Sequence, residues 1–461
     1  MVERAIQRIC FPDRRLLTVG LILLLLGLEA AVGPGLLRFG GLQVQPQAVA
    51  IAGALAAATI VALVRIEYGL LMLPLVAAAV PFSIGTGTAT ALPASLLFAA
   101  FLLAIWIAGM SIRKELVIVS SPVNLPLLGF TLTAVLAAVN SEAMRHPLVQ
   151  FSSTWTQVQV GGLGVFVISA GTLMLAMNVP RQVRWVRWLV WVFLAVGAIT
   201  VVGYLTRSGR DLPGVNVGGL FSMWVVALAF GQAAFNNRMP RWGRAGLAAV
   251  SILWLYRRFV LEATWLSGWM PAFAAVLVIS ILRSKRLSLV TLASLGIAWL
   301  LRYDRLYGTQ VLGEDSAGNL LRLELWQQNL EVTKDYLWLG TGPAGYAPYY
   351  ITFFPDRALS THSNYLDIFA QTGLIGSFFF VWFLLSAVRV GLDARRQRPK
   401  GFAAGFANGV LGGMAGLIVA MALGDWLIPF VYNQTITGFS YTVYSWLFLG
   451  ALAAVQRLKS D

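Results

Sequence analysis

The chain has 461 residues, of which 58% are hydrophobic and only 11% charged, and its mean hydropathy is +0.75. Soluble domains carry roughly 25% charged residues, so most of this chain has no water to face and a string of soluble domains is excluded. The net charge of +15 is spread as short basic clusters between apolar runs, which is the pattern that sets membrane topology and argues against a nucleic-acid partner.

A membrane-crossing helix needs about 20 apolar residues. In chain order the candidates lie at 16–32, 48–64, 69–82, 91–111, 123–139, 159–179, 188–205, 213–235, 245–256, 267–282, 287–301, 371–390, 403–423 and 440–455. Those at 69–82, 245–256 and 287–301 are short. The apolar run from Leu16 continues without an Ala-x-Ala site, so no cleavable signal is expected. The fold class expected is all-α: a polytopic transmembrane helical bundle of about 12–14 spans with one long extracytoplasmic loop containing amphipathic helices. It divides into a bundle over 1–301, a loop over 302–365 and C-terminal spans with a cytoplasmic tail over 366–461.

Placing the N-terminus in the cytoplasm and alternating sides puts 23 of the 34 Lys and Arg residues inside and 11 outside. That bias follows the positive-inside rule, and an even number of spans also returns the basic C-terminus to the cytoplasm. The long loop is then external. Within it Asn319 to Leu337 places Leu320, Leu323, Leu330 and Leu337 at helical spacing near Trp326 and Val332, an amphipathic helix lying on the membrane or capping the bundle. A Gly/Pro turn follows, then an aromatic stretch with Tyr346, Tyr349, Tyr350, Phe353 and Phe354. Two readings of these rings are open, an interfacial aromatic belt and a sugar-stacking surface.

Charges left outside against the bias need a reason. Arg207 and Arg210 follow one span, Arg257 and Arg258 another, and His362 precedes a third. The arginines either snorkel or pair with Asp211, Glu262 and Asp304, or they hold a phosphorylated ligand through bidentate guanidinium contacts. His362 lies in THSNYLDIFAQTGLIG, where Thr361 or Ser363 is a natural N-cap for a helix running inward. The positive end of that helix and nearby arginines favour a neutral imidazole, able to accept a proton from a hydroxyl. The other reading is an ordinary interfacial histidine. With one cysteine, Cys10, and one other histidine, His146, the chain offers no disulfide and no Cys- or His-rich metal site.

The sequence from His362 onward matches a known pattern: His, then Asn, Ser or Gln, nine residues, Gly, two residues, then Gly, Thr or Tyr, met here by His362, Ser363, Gly373 and Gly376. Upstream stand Arg322, Trp326, Gly340 and Gly342, and further upstream Arg210, Gly214 and Asn216. Over roughly 200–390 the chain resembles the O-antigen ligase and O-antigen polymerase superfamily of bacterial membrane enzymes. It departs from the family at Ser267, which Gly268 follows where a Ser-Arg pair is usual, so that Arg257 or Arg258 would supply the charge. A second motif, Arg-x3-Leu, is met at Arg257/Leu261 and at Arg302/Leu306.

The resemblance implies a type C glycosyltransferase-like bundle in the bacterial cytoplasmic membrane, working at its outer face. It would transfer a glycan from an undecaprenyl-diphosphate-linked donor to an acceptor hydroxyl on a lipid or glycan, by a metal-independent, inverting route with no cofactor. His362 would be the general base. Arg210, Arg257, Arg258 and Arg322 would hold the diphosphate, with Arg207, Ser363, Asn364 and Tyr365 in support. Trp265, Trp269 and Trp338 would line the sugar path. The rival class is a transporter or flippase for lipid-linked sugars, but transporters bury charges at mid-membrane and repeat their halves. Here the charges lie in loops, with Glu29 the main exception, and no repeat is present.

Overall fold

A computed structural model describes residues 37–39, 42–44, 65–87, 90–212, 214–262, 266–301, 315–355 and 360–458. The expected spans at 16–32 and 48–64, with Glu29, lie outside the described residues. So do Trp265, Asp304 and the Arg302/Leu306 motif.

Every other expected span is a helix. In order these are α1 (Ile66–Ala79), α2 (Ala94–Arg113), α3 (Asn124–Ala143), α4 (Trp155–Asn178), α5 (Val183–Thr206), α6 (Phe221–Phe235), α7 (Arg241–Tyr256), α8 (Leu266–Arg283) and α9 (Lys285–Leu301). The long loop holds α10 (Asp315–Thr333) and α11 (Ala347–Phe353), and the C-terminal part holds α12 (Asn364–Gln397), α13 (Gly401–Leu423) and α14 (Phe439–Arg457). Eight described helices are long and apolar enough to cross a membrane, and α1 and α6 are shorter apolar helices. The protein is a multi-pass membrane bundle. Two short antiparallel hairpins interrupt the all-helical pattern, β1 (Leu37–Phe39) with β2 (Leu42–Val44) and β3 (Ser83–Gly85) with β4 (Ala91–Pro93).

The core is centred on α13 and α14, the most enclosed of the spanning helices. Small residues make this possible. Gly231 of α6 lies against the backbone of Gly405 and Gly409 of α13, Gly416 against the Pro271 carbonyl of α8, and Gly450 of α14 against the Leu173 carbonyl of α4. Without side chains at these points the helix axes approach closely, and dispersion contacts replace the hydrophobic drive that lipid does not supply.

The two ends of the bundle are chemically distinct. At one end arginines hold helix-terminal carbonyls: Arg244 bonds Ala233 at 2.7 Å, Arg395 bonds Leu282 at 2.9 Å, and Arg457 bonds Met177 at 3.4 Å. Helix C-terminal carbonyls have no intrahelical partner, so a basic side chain there both satisfies them and meets the negative dipole end. The opposite end carries the 315–363 segment and the turns at 207–220 and 424–438.

In that segment the described leucines of the stripe do not pack on the bundle. Leu323 and Leu330 of α10 are exposed, while Leu325, Asn329, Val332 and Thr333 are buried. Nor do the tyrosines form an interfacial belt or a sugar-stacking surface. Tyr346, Tyr349 and Tyr350 are buried, with Tyr346 stacked on Phe430 at 4.4 Å. These rings join the core of the bundle and tie the loop to it.

Candidate active site

The site is organised by a break in α12. Gly373 sits at φ 65°, ψ −164°, splitting the helix into 364–372 and 374–397. This backbone region is open essentially to glycine alone. The turn after α10 crosses at the break and satisfies both new helix ends. The amides of Thr341 and Gly342 donate to the carbonyls of Ala370 (2.8 Å) and Gln371 (3.0 Å), while those of Leu374 and Ile375 donate to Leu337 (2.8 Å) and Trp338 (3.3 Å). Gln371 Oε1 accepts from the Ala344 amide at 2.8 Å. Gly340 and Gly342, both at positive φ, press their α-carbons against the Ala370–Thr372 backbone and the Gln159 and Ser141 side chains respectively. Gly376 lies against Thr372 one turn back and Thr133 of α3. The motif glycines are thus the places where the loop and the helix pass through each other's side-chain space.

His362 stands just before the 364–372 helix, in a left-handed conformation at φ 51°, which costs a non-glycine residue on the order of 1–3 kcal/mol. Its neighbours hold it there. The His362 amide donates to Ser360 Oγ at 3.1 Å, and Trp326 Nε1 donates to the Thr361 carbonyl at 2.9 Å. Thr361 Oγ1 donates to Asp367 Oδ1 at 2.6 Å, and the Tyr346 hydroxyl bonds the same oxygen. Asp367 is fully buried and its other oxygen has no partner. Ser363 occupies the N-cap position, but its side chain does not cap; its own amide donates to Thr361 Oγ1 at 3.2 Å.

The 424–434 segment closes the other side. Asn364 clamps it, donating to the Ile428 carbonyl at 2.7 Å and accepting the Leu427 amide at 2.6 Å. Asp425 is buried and accepts from the Phe430 amide (2.8 Å) and Asn433 Nδ2 (2.7 Å). Asn433 Nδ2 also faces His362 Nδ1 at 3.5 Å. Burial pushes the Asp425 carboxyl above the usual carboxylate range, against the pull of the Phe430 amide, Asn433 and His362. The surroundings of His362 are therefore not only cationic, as the helix end and the arginines suggested; a carboxylate stands behind it. Tyr365 points away and donates to the Ile418 carbonyl at 2.9 Å.

The arginines gather around the π-helical turn Arg257–Leu261 that ends α7. Arg257 is 1% exposed, with its guanidinium over the Tyr204 ring at 3.7 Å. It pairs with Asp211 at 2.7 Å and Glu262 at 2.8 Å, and its Nη1 is buried without a partner. Arg258 pairs with Glu262 at 2.7 Å and donates to the Val217 carbonyl at 2.7 Å. The ion pairs with Asp211 and Glu262 do form, so Arg257 is held by them as well as placed by them. Arg207 and Arg210 flank this cluster, exposed and without a side-chain bond among the described residues. The stretch carrying Val217 runs on to Gly218 and Gly219, which press on Tyr441 and Trp426. Trp426 follows Asp425, so the arginine cluster and His362 share one end of the bundle and one wall.

Residues 225–381 match the family described as O-antigen ligase. Over these residues the chain is similar to that family. No curated protein matches it.

The matched residues include Arg257, Arg258, Trp326, His362, Gly373 and Gly376. Arg207 and Arg210 precede the matched residues, and Asp425 and Asn433 follow them. Arg322 lies in α10, but its side chain lies outside the described part. Trp269 does not line an open path: it is buried against Phe259 at 5.1 Å. Trp338 is exposed beside the crossing turn. Asp367, Asp425 and Asn433 were not singled out by sequence. The one available signal was their acidity or polarity in a chain with only 19 acidic residues.

Proposed function

We propose that this protein transfers a glycan from an undecaprenyl-diphosphate-linked donor to an acceptor hydroxyl at the outer face of the bacterial cytoplasmic membrane, with inversion and without a metal. The carrying observation is His362, inside the O-antigen ligase motif and backed by Asn433 and buried Asp425. No cluster of His, Cys, Asp or Glu suited to a metal ion occurs among the described residues.

The acceptor oxygen attacks the anomeric carbon of the donor sugar. The bond from that carbon to the diphosphate oxygen breaks, and the diphosphate leaves with the electron pair. The acceptor proton passes to His362. Asn433 presents an N–H to Nδ1, so Nδ1 carries the lone pair. The 3.5 Å separation is at the outer limit of a hydrogen bond, and an incoming hydroxyl displaces it. The imidazolium that forms is stabilised by Asp425. Arg258 and Arg210 meet the diphosphate, with Arg322 a further candidate. Arg257, locked between two carboxylates and two rings, positions the π turn and offers its unpartnered Nη1 to the same anion.

Two outcomes are expected in transfer assays with purified protein and a lipid-linked donor. Asp425→Asn keeps the size but loses the charge and one of the two accepting oxygens, so kcat falls by roughly 100-fold with donor KM little changed. An unchanged kcat would remove Asp425 from the mechanism. Arg210→Ala and Arg258→Ala each raise donor KM by roughly 10- to 100-fold, the worth of one hydrogen bond to a charged group. If KM is unmoved in both, the diphosphate is held elsewhere, with Arg322 the next residue to test. Product formation itself separates this reading from a flippase, which moves the donor without consuming it.

A further inference from the structure

A second cavity lies at the end of the bundle opposite His362. α7 and α8 both pack on α6 but scarcely meet each other, which leaves a groove with α6 as its floor. Its volume is about 360 Å3. Phe230, Ala233 and Ala234 form the floor, Ala245 and Ala248 one wall, and Leu287 of α9 the other. The alanines keep the space open; larger side chains at those four points would fill it.

Three arginines rim this apolar space: Arg241, Arg244 and Arg283. None of them forms an ion pair among the described residues, and no Asp or Glu occurs in 221–256 or 266–301. Arg244 spends one nitrogen on the Ala233 carbonyl at 2.7 Å. Arg283 lies over the Phe235 ring at 5.7 Å. Arg241 is exposed, and next to it Trp242 is 89% exposed, the placement of an aromatic anchor at a membrane interface. Three uncompensated guanidiniums above an alanine-lined groove in a membrane protein match one ligand chemistry: a phosphate joined to an acyl chain. Basic pockets between membrane helices at the cytoplasmic side take acidic lipid headgroups for the same reason.

We propose that this groove binds an anionic phospholipid of the inner leaflet, its phosphate held by Arg241, Arg244 and Arg283 and its chain lying along Ala233, Ala234, Ala245 and Ala248. The proposal does not depend on the chemistry at His362. The test uses the full chain in nanodiscs and in detergent with added phosphatidylglycerol or phosphatidylcholine. Native mass spectrometry and thermal melting report lipid retention and stabilisation. The wild type is expected to retain phosphatidylglycerol and to melt at higher temperature in it than in phosphatidylcholine.

Arg241→Ala/Arg283→Ala, which leaves the Arg244–Ala233 bond intact, is expected to weaken phosphatidylglycerol binding by roughly 30-fold while the melting point in phosphatidylcholine stays unchanged. Ala248→Leu keeps every charge and fills the groove, and it too should lose the retained lipid. Equal stabilisation by both lipids in the wild type would overturn the proposal. So would an unchanged preference in Ala248→Leu and in the arginine variant. Inorganic phosphate reproducing the whole shift would identify a bare-anion site and overturn the lipid assignment.

Discussion

His362→Ala is expected to abolish glycan transfer while leaving expression, membrane insertion and melting temperature near those of the wild type. General-base catalysis contributes typically 10²- to 10⁴-fold, so kcat should fall by at least about 100-fold. The fold should survive because the imidazole is not what holds the turn. Residue 362 is fixed through its amide to Ser360, through Thr361 to Trp326 and Asp367, and through Asn364 to Leu427 and Ile428. Alanine keeps the Cβ, so residue 362 is asked for the same left-handed backbone that these bonds impose. A chelator should not affect the wild-type rate. Full activity in His362→Ala would end the catalytic role assigned to it.

Gly373→Ala is expected to do the reverse and damage the structure itself. A side chain there meets the φ 65°, ψ −164° backbone, a region that costs a non-glycine residue on the order of 1–3 kcal/mol. Its Cβ would also overlap the Trp338 carbonyl and the Leu339 amide, which are backbone atoms fixed by the crossing turn. Relief requires the turn to withdraw, breaking the bonds from Leu374 and Ile375 to Leu337 and Trp338. A melting temperature well below the wild type, early elution on size exclusion and loss of transfer should appear together. Gly164→Ala serves as control, since nothing lies within 4 Å of the added carbon. If the two variants melt alike, the break at Gly373 is not the joint described here.

Much of the bundle was legible because lipid makes hydropathy a direct report of structure: with no water in the core, backbone groups must pair within helices. Each candidate span from 69 onward coincides with a helix, including the short ones that fall below the usual crossing length. The motif at His362 was legible as a string of residue types. What its glycines do was not, because their role is defined by a segment some thirty residues earlier. Asp425 and Asn433 stayed invisible for a different reason: DWLIPFVYNQ reads as a turn between apolar runs, and only tertiary packing brings it to His362. The aromatic loop was misjudged because rings in a membrane protein signal an interface by composition, whereas here Tyr346 and Tyr350 are committed to Asp367 and to the Leu325 carbonyl.

The clamp between Asn364 and the 424–434 segment bears on how the protein is made. Membrane chains emerge N-terminus first, so His362 and α12 reach the bilayer before Asp425, Asn433 and α14 exist. Until then Asn364 has neither the Ile428 carbonyl nor the Leu427 amide, and unpaired polar groups in hydrocarbon cost several kcal/mol each. The end of the bundle that carries His362 is therefore completed only when the 424–434 segment arrives. Biogenesis and activation become one event, and a chain cut short after α13 has every residue of the His362 motif but not the mould that shapes it.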